Sequence, residues 1–223
     1  MKSIIIKIAI VTTILASSEA HSQGFVNLDF EDATIVPVNP QFPQYVYANT
    51  AIPGWAAYLG GTSQGGIYYD TVSAGGAGIF LEDSNNNSPK PIQGLYSMYF
   101  VGDYNPGSTS GLTSEIAQTG VVPATAQSLI FWGNLSGVDL LLNGQSIPYA
   151  VIGNGNNYSI YQADISGYAG QTAMLEFLAL VNGGGLLDNI QFSSTSVPEP
   201  SEFALGALGA ILLGFRRWRN SSR

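Results

Sequence analysis

Between Gly24 and Thr195, apolar runs of four to nine residues alternate with clusters of Gly, Asn, Pro and Ser. Short apolar runs bounded by turn residues predict strands rather than helices. The expected strands are Phe25 to Phe30, Gln44 to Ala48, Trp55 to Leu59, Ile67 to Val72, Gly78 to Leu81, Leu95 to Val101 and Leu112 to Gln118. They continue with Ser128 to Trp132, Val138 to Leu142, Ile147 to Ile152, Tyr158 to Ala163, Ala173 to Val181 and Leu187 to Phe192. Asn143-Gly144, set between VDLLL and QSIPYAV, predicts a two-residue hairpin, because a type I′ turn needs positive φ at both central positions. In LYSMYFV apolar residues face both sides, as expected of a strand in the middle of a sheet. Asp83 to Pro91 reads as a polar surface loop. No period of 20 to 50 residues repeats, which argues against a solenoid or propeller. The pattern as a whole predicts one all-β domain over residues 24–195, an antiparallel β-sandwich.

The two ends break this pattern. MKSIIIKIAIVTTILASSEAHSQ has a basic start at Lys2, an apolar stretch from Ile4 to Leu15 and small residues ending at Ala20, the form of a secretory signal peptide over residues 1–20. The stretch is short of the roughly 20 residues that a retained membrane anchor needs. At the other end, thirteen uncharged residues from Phe203 to Phe215 would make a helix of about 20 Å, a marginal span for a hydrocarbon core of about 30 Å. Arg216, Arg217 and Arg219 would hold its end at the cytoplasmic face, with Trp218 at the interface. The domain then lies on the far side of the membrane, as an N-terminal export signal also requires.

Charge sharpens the picture. Only 10% of the 223 residues are charged, and six of the seven basic ones lie in the terminal segments. From His21 to Pro200 thirteen acids stand against Lys90 alone, a formal charge of −12. Such a surface repels phosphate backbones and argues against nucleic acid as a partner. Cysteine is absent from the sequence, which excludes disulfides, thiolate metal sites and cysteine nucleophiles.

The tail Val197-Pro198-Glu199-Pro200-Ser201, followed by the apolar segment and the arginines, resembles the PEP-CTERM sorting signal of exported Gram-negative proteins, over residues 197–220. The resemblance implies a transmembrane sorting helix, recognition by a membrane-embedded exosortase as processing partner, and delivery to the envelope, cell surface or exopolysaccharide matrix. Pro198 and Pro200 favour an extended strip just outside the membrane. A plain C-terminal membrane anchor is the simpler alternative. A second resemblance lies inside the domain. NLDFEDA with IPGW, DISGYAGQTAMLEFLAL and LLDNIQF are similar to the frame of galactose-binding-like jelly rolls, common among carbohydrate-binding modules. That resemblance implies a jelly-roll-like sandwich in which Asp29, Glu31 and Asp188 hold a structural Ca²⁺, with Asn189 nearby; calcium favours such oxygen sets.

Sugar recognition needs flat aromatic surfaces beside amides and carboxylates. Trp55, Tyr58, Tyr68, Tyr69, Tyr96, Tyr104 and Trp132 offer the first, and Asn85, Asn105 and Asn134 the second, although a place in the core or at its rim is the favoured reading of each aromatic and the sequence marks out no sugar site. The sole histidine, His21, leaves no Ser-His-Asp triad or histidine zinc site. A glycosidase needs two carboxyls several ångströms apart, and no local pattern singles out a pair among Glu82, Asp83, Glu115, Asp164 and Glu176. The Glu82 to Asn87 stretch lacks the Gly and distal Glu of an EF-hand, and Gly75 to Gly78 and Gly183 to Gly185 lack the Lys-Ser/Thr of a phosphate loop and read as turns or flexible loops. The sequence thus points to a non-catalytic structural or adhesive surface protein that contacts polysaccharide, with a matrix glycoside hydrolase or a glycan-free tethered envelope protein as alternatives.

Overall fold

The computed structural model describes residues 24–71, 76–85, 89–103 and 111–197. The expected signal peptide, Pro198 to Ser201 of the sorting motif, the apolar tail and the three arginines lie outside the described residues. Among the described residues no helix is long and apolar enough to cross a membrane.

The chain forms thirteen strands: β1 (Pro37–Asn39), β2 (Phe42–Tyr47), β3 (Ala56–Leu59), β4 (Thr62–Gln64), β5 (Gly66–Tyr69), β6 (Gly78–Asp83), β7 (Tyr96–Val101), β8 (Ser114–Val121), β9 (Ser128–Leu142), β10 (Gln145–Ser146), β11 (Tyr149–Asn154), β12 (Ser159–Asp164) and β13 (Thr172–Ser193). A one-turn helix, Ala48–Ala51, and a 3₁₀ turn, Ser166–Tyr168, are the helical pieces among the described residues. The all-β expectation holds. β13 is the hinge of the architecture. Its first half pairs with β8 and its second half with β7, while β9 runs along its other side in both halves. β8 continues to β3 and β4, and β7 continues through β6, β5 and β2 to β1. Beyond β9 lie β12 and β11. The sheet therefore bends over itself, and side chains from both wings meet in one core: Phe131, Leu140, Leu175 and Phe177 with Ile79, Leu81, Met98 and Phe100. Phe131, fully buried, sits 5.2–5.3 Å from the rings of Tyr149, Tyr161 and Phe177. Burial of each such side chain stabilises the fold by roughly 1.5–3 kcal/mol.

Several sequence expectations need correction. The sheet is mixed, not purely antiparallel, because β5 and β6 run parallel. Phe25 to Phe30 is not a strand: Asn27 and Phe30 have positive φ (50° and 61°), which breaks the extended repeat, and the segment turns so that Phe30 packs on Trp55 at 5.7 Å. Gly183 to Gly185 are neither a turn nor a loose loop. They lie inside β13, so the two strands expected on either side of them are one. Val138 to Leu142 and Ser128 to Trp132 likewise fuse into β9. At the bend Gly183 faces Gly137 so closely that a Cβ on Gly183 would lie 2.1 Å from the Gly137 carbonyl oxygen, and one on Gly185 1.9 Å from that of Asn134. Two strands turn the same corner with backbone against backbone, a place where only glycine fits. Across it the inward residues of β9 shift from Leu129 and Phe131 to Val138, Leu140 and Leu142, a change of phase.

The Asn143-Gly144 turn is as expected, with φ of 51° and 72°, although β10 pairs for only two residues before the chain leaves to build β11 on β12. β7 lies between β6 and β13, a central strand as its two apolar faces predicted.

Candidate functional site

Three groups of polar side chains stand out. The first is a carboxylate clamp. Glu31 accepts hydrogen bonds from the backbone N–H groups of Leu95 (2.8 Å) and Tyr96 (3.0 Å). Asp188, buried in β13, accepts from Gln93 N (3.0 Å), Asn189 N (2.6 Å) and the Ser97 hydroxyl (2.6 Å). That hydroxyl in turn accepts from Ile92 N at 2.8 Å. Together these bonds tie the segment between β6 and β7 to the strand face. Gly94 makes the closure possible: its φ is +62°, and a Cβ there would lie 2.1 Å from a Glu31 carboxylate oxygen. Burial pushes the Asp188 carboxyl up to about 6; the three hydrogen bonds oppose this, and the Glu31 charge adds to it.

Sequence reasoning gathered Asp29, Glu31 and Asp188 as a calcium set. The structure brings Glu31 and Asp188 to the same segment, and Asp29 reaches Glu31 N at 3.5 Å. Yet the Glu31 and Asp188 oxygens face N–H donors, which present positive charge where a cation would need to sit. Among the described residues no group of three or more His, Cys, Asp or Glu is placed to hold a metal ion. The donor set does not fit a three-carboxylate calcium centre.

The second group is Glu115 with Glu176, on the neighbouring strands β8 and β13. The Glu115 carboxyl is raised by burial, then by the charge of Glu176 and by a hydrogen bond to it. Glu176 also accepts from Gly144 N at 3.1 Å, so it secures the hairpin turn. Retaining glycosidases separate their carboxyls by about 5–5.5 Å and inverting ones by more; two carboxyls in hydrogen-bond contact leave no room for a sugar between them. Of the other acids considered, Glu82 and Asp83 are buried at the end of β6, where Asp83 bonds Tyr69 and Asn85. Asp83 is thus not part of the surface loop expected from the sequence. Asp164 holds the N–H and hydroxyl of Ser166.

The third group is an open cleft of about 420 Å³ between the clamped segment and the β11–β12 turn, lined by Lys90, Asn134, Asn156, Asn157, Tyr158 and Leu186. Trp132 and Tyr158 stack with centroids 5.0 Å apart and planes 16° from parallel. Trp132 is opposite Asp188, and Asn134 opposite Leu186, in the β9–β13 register, so the clamp and the cleft share one face of the sheet. A Gly155 N–H to Tyr158 carbonyl bond of 2.8 Å closes the turn that carries Tyr158. The cleft is within the size range of small-ligand sites.

The aromatics proposed from sequence divide sharply. Trp55 is buried and donates to the Asn27 carbonyl at 2.9 Å. Tyr69 bonds Asp83. Tyr68 belongs to a row of rings with Tyr45, Phe80 and Tyr99, 5.3–5.4 Å apart. Tyr58 and Tyr96 are half-buried. Asn85 is exposed but bonded to Asp83, and Tyr104 and Asn105 lie outside the described residues. Of the set, Asn134 lines this cleft and Trp132 stacks on its Tyr158, while Trp55 and Tyr58 line a second open cleft of about 330 Å³ and Tyr68 a third of about 370 Å³. Sequence reasoning missed Tyr158, Asn156 and Asn157; the NGNNY run was their signal, a polar turn ending in an aromatic.

No family model matches the chain, and no curated protein matches it. Among solved structures it is similar to an apo form cyclase from Fischerella sp., with a TM-score of 0.38 and 15% identity over 76% of this chain and 93% of that one. It is also similar to the enzymatically active domain of bacteriophage CBA120 tailspike protein 4 (TM-score 0.38, 14% identity, 63% of this chain and 19% of that one). A third is a β-glucosidase from Kluyveromyces marxianus in complex with glucose (0.31, 13%, 85% and 20%). The chain spans about a fifth of the length of the latter two. At these scores the likenesses carry no argument about activity.

Proposed function

We propose that this is an exported, non-catalytic protein of the cell surface or extracellular matrix, which holds a carbohydrate in the cleft beside Tyr158. The observation that carries the reading is an open cleft lined by Tyr158, which stacks on Trp132, and by three amides, Asn134, Asn156 and Asn157. The Tyr158 ring is packed against both Trp132 and Gly155, so the pair offers a pyranose its remaining exposed edges, and primary amides offer both donors and acceptors to the sugar hydroxyls. Export is supported by the form of the two termini, with an exosortase as the processing partner of the tail. The jelly-roll assignment is favoured by the contact of the N-terminal segment with the last strand, where Ile190 N donates to the Leu28 carbonyl at 2.9 Å.

The test is binding of the full chain to a panel of polysaccharides and oligosaccharides, alongside Tyr158→Ala. Binding that disappears in the variant while its melting temperature is retained supports the site. Binding unaffected by the substitution, or no binding across the panel, overturns it. Release of free sugar would instead favour a hydrolase.

A further inference from the structure

Lys90 is the only Lys or Arg between Gly24 and Val197, and it lines the Tyr158 cleft. We infer that the ligand of this cleft is an acidic sugar, a hexuronate unit of a polysaccharide, whose carboxylate pairs with the Lys90 ammonium while its ring lies against the Trp132–Tyr158 pair. The inference rests on the carbohydrate reading above and adds the charge class of the sugar.

Three observations lead to it. The twelve acids in this span repel anions from most of the surface, but none of the described residues lining the cleft is a carboxylate. The cleft is therefore a local exception in an acidic protein. Second, Lys90 is placed with care. Pro89 and Pro91 flank it and restrict the backbone on either side, and two and three residues further on the Ile92 and Gln93 N–H groups are fixed by Ser97 and Asp188. The clamp thus holds the lysine's segment against the face that carries Trp132 and Asn134. Third, the chemistry is complementary in parts: an ammonium for the carboxylate, amides for the hydroxyls and rings for the apolar face. A neutral sugar would use the last two and leave the ammonium to water.

Range decides how such a site works in a protein of this charge. Repulsion between a polyanion and the distant acids is largely screened beyond a Debye length of about 8 Å at physiological ionic strength. Lys90 is itself exposed, so its short-range pair with a carboxylate forms against that background but is weakened by added salt. The preference for uronates should thus fall as ionic strength rises.

The experiment compares oligogalacturonate and oligomannuronate with the same oligomers after reduction of their carboxyls to alcohols, using the full chain, Lys90→Gln, Lys90→Arg and Tyr158→Ala. An ion pair with an exposed lysine predicts about two- to fivefold tighter binding of the uronates than of their reduced forms. Lys90→Gln should remove that preference with no change in melting temperature, and Lys90→Arg should keep it. Equal or tighter binding of the reduced oligomers, or a preference that survives Lys90→Gln, overturns the inference; if Tyr158→Ala still abolishes binding, the carbohydrate site itself stands. Failure of both oligomer sets, together with every neutral glycan of the panel, overturns both.

Discussion

Asp188→Asn tests the clamp most directly, because the structure assigns it a sign as well as a size. The native fold holds the Asp188 carboxyl at about 6, from an ordinary value of 3.8, chiefly by burial. The native chain thus binds a proton more tightly than the unfolded chain does. Stability from this group is fully present below about pH 4 and is lost as the pH rises through about 6. The difference corresponds to about 3 kcal/mol. For a domain of this size that is about 6–12 °C in melting temperature. Asparagine keeps the shape and abolishes the titration. It has one carbonyl oxygen, so either Gln93 N and Ser97 or Asn189 N loses its acceptor, at about 1–3 kcal/mol. At neutral pH that loss is offset by the absence of a buried charge. The variant should be close to wild type near pH 7 and clearly less stable near pH 4. The assay is urea unfolding followed by tryptophan fluorescence at intervals from about pH 4 to about pH 7, read as the difference between the two proteins. Parallel stability curves, or a difference that grows toward neutral pH, would refute the burial argument.

Other outcomes follow from neighbouring features. Gly94→Ala places a methyl group on a Glu31 oxygen at positive φ; it should cost at least about 1–2 kcal/mol from the backbone alone, measured by the same unfolding. Glu115→Gln removes one member of a like-charged pair whose native carboxyl is raised, so it should flatten the fall in stability as pH rises above the usual carboxylate range. If the clamp closes on N–H donors alone, millimolar calcium should leave the melting temperature where chelator leaves it; a rise would restore Asp29, Glu31 and Asp188 as ligands.

What the chain discloses in advance depends on whether the information is local. Hairpin chemistry at Asn143-Gly144 and the two-sided apolarity of LYSMYFV are local, and both elements formed as expected. The glycines at 183–185 carry the opposite lesson. Gly and Asn clusters normally end strands, yet here the requirement comes from a second strand, because Gly137 and Asn134 press against them from β9. Nothing within GGG itself distinguishes a loop from a corner. The same holds for the site. Asp188 and Glu31 were legible as important acids, but what they grip, the N–H groups near Gly94, is more than 60 residues from one and more than 90 from the other. Tyr158 became a site residue only when β12 laid it on Trp132.

The shared corner has a mechanical consequence. In a sandwich of two separate sheets, one sheet can in principle peel away while the other endures. Here β9 and β13 are members of both wings, so the ladders on either side of the glycine bend cannot separate without breaking these two strands. Unfolding should then be a single all-or-none event under heat or denaturant. Under tension the two long strands would share the load, giving the chain one yield point instead of a sequence of partial failures.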